Sequence, residues 1–380
     1  MNMNTTYHRV LWRQVWGLAA LLAAIVFSWM AYSFYQPVIL TKLGFVELAQ
    51  SLGIIQGFLG AAIEPLAGVM SDRLMHRIGS RLPGIAVGIT LAGLLFVATG
   101  LLLHSNIPLE LRWIIPVLMT FWVMATIVFR GPVVSLLRQF APTESLPVAN
   151  SILTFVVSLV GAIAPIFSRA IDFLGAANTF LFGSVMLMVG AILLWSADPQ
   201  VTIYSDADLV RHISTVNSND RGKSNRDRLI QWLQIFGVGS ISGLLVNIML
   251  RVSTQKIHAT LAIISPEYIA AMILLVCAIV ATPLEQRVRK WGLNRSMLMS
   301  LLFIIVAILL SFVSIPLVSI GLAIAIFSGI AMGLLLVAQI PWCLGRLPPH
   351  QAGLSTGLCF GGMGAANAFL TLIIQLSDRG

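Results

Sequence analysis

The chain reads as an all-α, polytopic membrane protein made of two pseudo-symmetric helical bundles, six transmembrane helices followed by five. Three observations predict this class. Hydrophobic residues fill 58% of the 380 positions and charged residues only 10%, whereas charged residues make up about a quarter of a soluble domain. Apolar runs of bilayer-crossing length, about 18 residues or more, recur along the sequence, and Ser296–Gly345 holds no charged residue. Charged turns in the first half are echoed at matching places in the second.

Eleven such runs follow one another. The first, Gly17–Ile39, lies in an apolar stretch from Val15 to Leu40 that is too long for a signal-peptide core and lacks a small-residue cleavage site, so it is expected to be a retained span. Leu48–Met70, Pro83–Leu103, Leu111–Val134, Ala149–Ala170 and Ala176–Trp195 complete the first group. Ile230–Leu250, Tyr268–Leu284, Met297–Ile315, Val318–Ile340 and Gly353–Leu376 form the second. Lipid cannot satisfy backbone N–H and C=O groups, so each run must be helical. The alternating pattern of a barrel is absent. Residues 196–229 form the one long polar segment, with five basic and five acidic residues that cancel. They read as a flexible cytoplasmic linker, with a regulatory role as the alternative. The domains are therefore 1–195, the linker 196–229, and 230–380.

The formal net charge is +9, but its placement argues against a nucleic-acid partner. With a cytoplasmic N-terminus, 16 of the 23 Lys and Arg fall in the N-terminal segment and the cytoplasmic loops. That is the positive-inside bias of an integral protein in a cytoplasmic membrane. Cys277, Cys343 and Cys359 lack metal-ligand spacing and read as small apolar fillers. No paired carboxylates, metal-spaced His or Cys, or phosphate-cradling glycine loop appears, so neither an enzyme nor a cofactor is expected. All six histidines lie in loops or at span ends, which weakens a pigment-delivery or assembly role.

Two turns carry the strongest pattern. After the second run the sequence reads Gly68-Val-Met-Ser-Asp72-Arg73, continuing through Arg77 and Gly79 to Arg81-Leu-Pro83. Asp72, Arg77 and Gly79 recur as Glu285, Lys290 and Gly292, each 213 positions later, and Arg138 after the fourth run is matched by Arg346 after the tenth. Gln286 replaces Arg73 in the second copy. The first turn resembles the loop motif of the major facilitator superfamily. Glu64-Pro65-Leu66-Ala67-Gly68, and the patch from Arg130-Gly131-Pro132 to Ala149-Asn150, are similar to the glycoside–pentoside–hexuronide and sucrose symporters. The resemblance implies a secondary transporter that moves a sugar or glycoside by alternating access, as a monomer in the lipid bilayer, with protons as the coupling ion. It also implies a gate in which Asp72 faces a helix end from the other half and pairs with Arg138, with Glu285 and Arg346 as the mirror pair. The alternative for these charges is a positive-inside anchor alone. Members normally have twelve spans, so a fold lacking the twelfth helix is expected, with its C-terminus outside the cytoplasm; the last helix is dispensable, missing by truncation, or supplied by a partner. Efflux of drug-like amphiphiles is the neighbouring alternative.

Within the runs, Glu64 is the sharpest residue. It lies near the cytoplasmic end of the second span, and Gln56, Gly60 and Glu64 recur at intervals of four on one helix face. A carboxyl there is costly in lipid and marks a candidate proton carrier; a cap on a neighbouring helix is the alternative. Arg130 needs a carboxylate or a solute if buried, and Glu64 is a candidate partner. Tyr32, Gln56, Asn247, Gln339 and Asn367 are the further candidates for a midplane site, with Trp29, Tyr35, Gln36 and Gln234 beside them. Arg169 and Asp172, three apart, read as a local ion pair. Arg251, Lys256, His258 and Glu267 read as solvated loop charges. Gly353, Gly357 and Gly361 form a small-residue stripe that reads as helix packing.

Overall fold

A computed structural model describes residues 10–105, 108–200, 225–261, 263–313 and 318–377. Most of the expected linker, residues 201–224, lies outside the described residues. The helices long and apolar enough to cross a membrane number eleven among the described residues: α1 (Trp12–Lys42), α2 (Val46–Ile78), α3 (Leu82–His104), α4 (Ile114–Phe140), α5 (Thr143–Ala162), α6 (Ala164–Ser196), α7 (Arg226–Thr260), α8 (Pro266–Trp291), α9 (Leu293–Ser311), α10 (Val318–Arg346) and α11 (Pro349–Ser377). The expected all-helical class and span count both hold.

The α5–α6 boundary does not coincide with the point where the chain reverses. Gly175 breaks α6 with φ 77° and ψ 163°. Arg13, at the start of α1, donates to the Ser196 carbonyl at the end of α6, so that end returns to the face where α1 begins. The chain therefore turns back at Gly175, residues 164–174 extend α5, and 176–196 cross in the opposite sense. Arg169 and Asp172 stay exposed beside this turn and form no ion pair with each other.

The helix ends bearing Asp72, Arg138, Glu285 and Arg346 share one face, the basic face. Gly79 and Gly292 end α2 and α8 there with φ of 76° and 77°. A side chain at either position would strain the backbone. The 213-residue echo thus preserves a positive φ at the glycine, while ψ differs, 2° at Gly79 and 154° at Gly292.

Apolar side chains gather into two main cores. One draws on α1–α6, around Tyr32, Phe96, Trp122, Phe129 and Phe180. The other draws on α7–α11, around Met249, Ile273, Ile304 and Met332. Between them, α2 packs along α11 and α5 along α8, with further contact of α4 and α5 against α11 and α10. The glycine stripe explains the first seam. A Cβ on Gly68 would sit 2.7 Å from the Gly353 carbonyl carbon, one on Gly361 would sit 2.9 Å from the Ala61 oxygen, and one on Gly357 would collide with the Glu64 carbonyl. Backbones touch where side chains are missing. Gly357→Val is therefore expected to overpack this seam, lowering stability by about 1–3 kcal/mol. Thermal unfolding in detergent checks this; an unchanged Tm would mean that the seam is not closely packed.

Candidate functional site

Two chambers lie between the cores and meet at Trp29, Ser33 and Arg130. One, of about 500 Å³, is mainly apolar and is walled by α1, α4, α5, α10 and α11, with Asn150, Thr154 and Gln339 among its polar lining. The other, of about 490 Å³, is polar and bounded by α1, α2, α4, α7 and α11. Its lining reaches Pro37, Gln50 and Thr371, at the ends of α1, α2 and α11 away from the basic face, so this chamber extends toward the opposite face.

Glu64 and Arg130 meet where the chambers join. The Arg130 guanidinium donates to Glu64 Oε1, and the side chains are 27% and 2% exposed respectively. Glu64 Oε2 is buried with no hydrogen-bond partner, as is Arg130 Nε. Arg130 also lies over the Phe360 ring at 4.8 Å, a contact that supports a cation stripped of water. Pro65 and Pro132 sit inside α2 and α4, interrupting helix hydrogen bonding beside both charges. A carboxyl oxygen without a donor, paired to one arginine at a chamber wall, is a group that can take and give a proton.

Behind this pair the wall is aromatic. Tyr32 stacks on Trp122 at 4.7 Å and Trp122 on Phe96 at 4.2 Å, while Trp29 meets both Tyr32 and Trp122 edge-on. The Tyr32 hydroxyl donates to Gln56 Oε1 at 2.9 Å, and Gln36 reaches the same oxygen at 3.4 Å. Trp29 Nε1 has no partner. Gln339 donates to Ser242 at 2.7 Å, tying α10 to α7 at the wall of the apolar chamber.

The basic face is closed beneath the chambers. Asp72 Oδ1 accepts from the Gly353 backbone N–H at 2.9 Å and Oδ2 from Leu354 N–H at 2.8 Å. The carboxylate therefore occupies the N-terminal end of α11, where donors are orphaned and the helix dipole is positive. Arg81 completes it, 2.7 Å from Asp72 Oδ1 and 2% exposed. Asn150 donates from α5 to the Leu336 and Val337 carbonyls of α10, and Thr356 of α11 donates to Gly131 of α4. Each of these bonds joins one core to the other.

The expected ion pairing is corrected here. Asp72 pairs with Arg81 rather than Arg138, because the left-handed turn at Gly79 brings the chain back within nine residues; Arg138 donates to Thr143 at 2.5 Å. Glu285 is buried with Oε2 unpartnered, and Arg346 donates to Asn294 and stacks on Trp342 instead. Arg73, Arg77 and Lys290 are exposed. Of the predicted site residues, Glu64, Arg130, Gln56, Gln339, Asn367 and Tyr32 line the chambers. Asn247 does not; it bonds back to the Gly243 carbonyl of its own helix. Gln234 is exposed away from them. Arg251, read as a loop residue, lines the polar chamber. The apolar flanks Leu250 and Val252 were the signal that α7 continues past it.

The sequence model of the Major Facilitator Superfamily matches residues 18–371. The chain belongs to that superfamily. It is a membrane transporter, built for secondary transport by alternating access, and not an enzyme. No curated protein matches it in sequence. Among solved structures it is similar in fold to the proton:xylose symporter XylE bound to 6-bromo-6-deoxy-D-glucose, with a TM-score of 0.68 at 13% identity, over 97% of this chain and 89% of that one. The human organic anion transporter MFSD10 (TETRAN) is equally similar, with a TM-score of 0.68 at 13% identity, over 96% and 92%.

Proposed function

We propose that this facilitator is a proton-coupled symporter of a small polar solute of the sugar or glycoside class. The basic face is cytoplasmic in this reading, and 1–195 and 230–380 rock against each other about the tether 196–229. The single observation that carries it is Glu64: a fully buried carboxyl, one oxygen without a donor, held by Arg130 at the wall of the path. A proton entering from the opposite face reaches Glu64 through the polar chamber, neutralises it and loosens Arg130. Solute hydroxyls then meet Arg130, Gln56 and Asn367, while Trp29 and Tyr32 offer aromatic faces to a sugar ring. The fold similarity to a proton:xylose symporter agrees with this reading, and so does the resemblance of the Glu64-Pro65 segment to the sucrose-type branch.

With Asp72 seated on α11 and the polar chamber reaching the opposite face, the conformation corresponds to the outward-facing state. A second reading, efflux of amphiphiles, draws on the apolar chamber lined by Leu22, Ile25, Val26 and Met363. Purified protein in proteoliposomes under a pH gradient, challenged with sugars and with amphiphilic cations, decides between them. Sugar-evoked proton flux is expected. Flux evoked by the amphiphiles alone would overturn the symport reading.

A further inference from the structure

We propose that Arg251 forms an anion-selecting site in the polar chamber, and that the transported solute carries a carboxylate. This rests on the reading of the chambers as the solute path. The backbone of α7 departs from regular α-helical winding at this point. Residues Met249–Ser253 wind as a π-helix, a rare insertion that shifts the side chains of the turn around the helix axis and is often found at functional sites. Arg251 is the residue this turn delivers to the polar chamber.

There the side chain is oriented without being neutralised. One terminal nitrogen donates to Thr371 Oγ1 at 3.0 Å and the other to Asn367 Oδ1 at 3.3 Å. Both acceptors are neutral and belong to α11. A guanidinium has five N–H donors, so three remain for a ligand. Arg251 forms no ion pair with a carboxylate of the described residues.

Charge within the chamber then decides the class of solute. Its lining carries one acidic residue, Glu64, and two arginines, Arg130 and Arg251. Arg130 and Glu64 cancel, which leaves one positive charge. When Glu64 takes a proton the imbalance rises to two. A neutral sugar would leave that charge unmatched inside a closing cavity, where water is being removed and an unpaired charge is costly. A monoanion cancels the single charge and halves the doubled one, and the fork of Arg251 fits the two oxygens of a carboxylate. Thr371 and the Asn367 side-chain carbonyl oxygen hold the fork in place, so Thr371 is a positioning residue and Asn367 both orients Arg251 and keeps its amide N–H groups for the solute. Arg251 itself touches the solute.

The test is a calorimetric binding titration of the purified full-length protein in detergent, with glucose, glucuronate and lactate as probes. The same titrations are run on Arg251→Gln and Arg251→Lys. Glucuronate is expected to bind more tightly than glucose. Arg251→Gln should weaken glucuronate about 10- to 100-fold, the usual size of a charged hydrogen bond, while leaving glucose within a factor of two or so. Arg251→Lys should restore part of the loss, which a purely structural role for Arg251 would not produce. Glucose binding without either acid overturns the proposal and leaves the sugar reading standing. Lactate binding that depends on Arg251, with neither sugar probe bound, upholds the anion site and removes the sugar reading. Equal weakening of glucose and glucuronate by Arg251→Gln also overturns the proposal, as does a failure of all three probes to bind.

Discussion

Glu64→Gln is expected to abolish proton-driven accumulation while sparing solute exchange. The amide keeps the volume of the side chain and a hydrogen-bond acceptor for Arg130, but it cannot be protonated over the working pH range. Uptake under a pH gradient should fall to simple equilibration. Counterflow at equal pH should stay within about threefold of wild type, less than 1 kcal/mol in the barrier. Glu64→Ala is a harsher change. It leaves the Arg130 charge in the wall without its partner, a loss of about 3–5 kcal/mol for a buried pair, and is expected to lower the Tm. Accumulation that persists in Glu64→Gln would remove this carboxyl from the coupling path, because no other acidic residue lines either chamber.

Asp72→Asn should have the second largest effect, on conformation rather than coupling. The carboxylate holds two backbone N–H groups of α11 and the Arg81 guanidinium at once. Hydrogen bonds to a charged group contribute about 1.5–3 kcal/mol, and a charge at a helix end a further 0.3–1 kcal/mol or so. The two bonds to α11 and the helix-end contact are present only while the basic face is closed, whereas the Arg81 pair lies within the first half and persists. Losing about 2–4 kcal/mol from one state shifts the equilibrium about 30- to 1,000-fold toward the other. Thr356, fully buried beneath the gate, provides the readout. In a background lacking the native cysteines, Thr356→Cys should react faster with a charged maleimide from the basic face once Asp72 is changed. An unaltered rate would reduce the loop to an anchor.

Much of this was legible in the sequence, for reasons that differ by level. Spans were readable because lipid enforces apolar length and helical pairing together, and even the turn at Gly175 fell between two recognisable runs. The Glu64–Arg130 pair was readable because isolated charges inside apolar runs must find each other. Partner choice at the gate was not readable. Arg73, Arg77, Arg81 and Arg138 all lie within reach of Asp72 on paper, and the left-handed geometry at Gly79 selects Arg81. Arg251 was misplaced because a π-turn has no clear composition of its own; the side chain looks like a loop charge until the helix is seen to continue beneath it. Asn247 erred the other way. A polar side chain inside a span can satisfy itself on its own helix, and Asn247 does so at Gly243.

The central claim is that the two sets of helices tilt about the chambers, so that one face opens as the other closes. Paired spin labels measure this directly in proteoliposomes. One pair would sit on the basic face at the exposed positions Arg77 and Arg289, the other on the opposite face at Lys42 and Glu267. On adding solute under a pH gradient, the distance between the basic-face labels should lengthen in the same population in which the opposite-face distance shortens. Distances that stay fixed, or that rise together on both faces, would contradict the account.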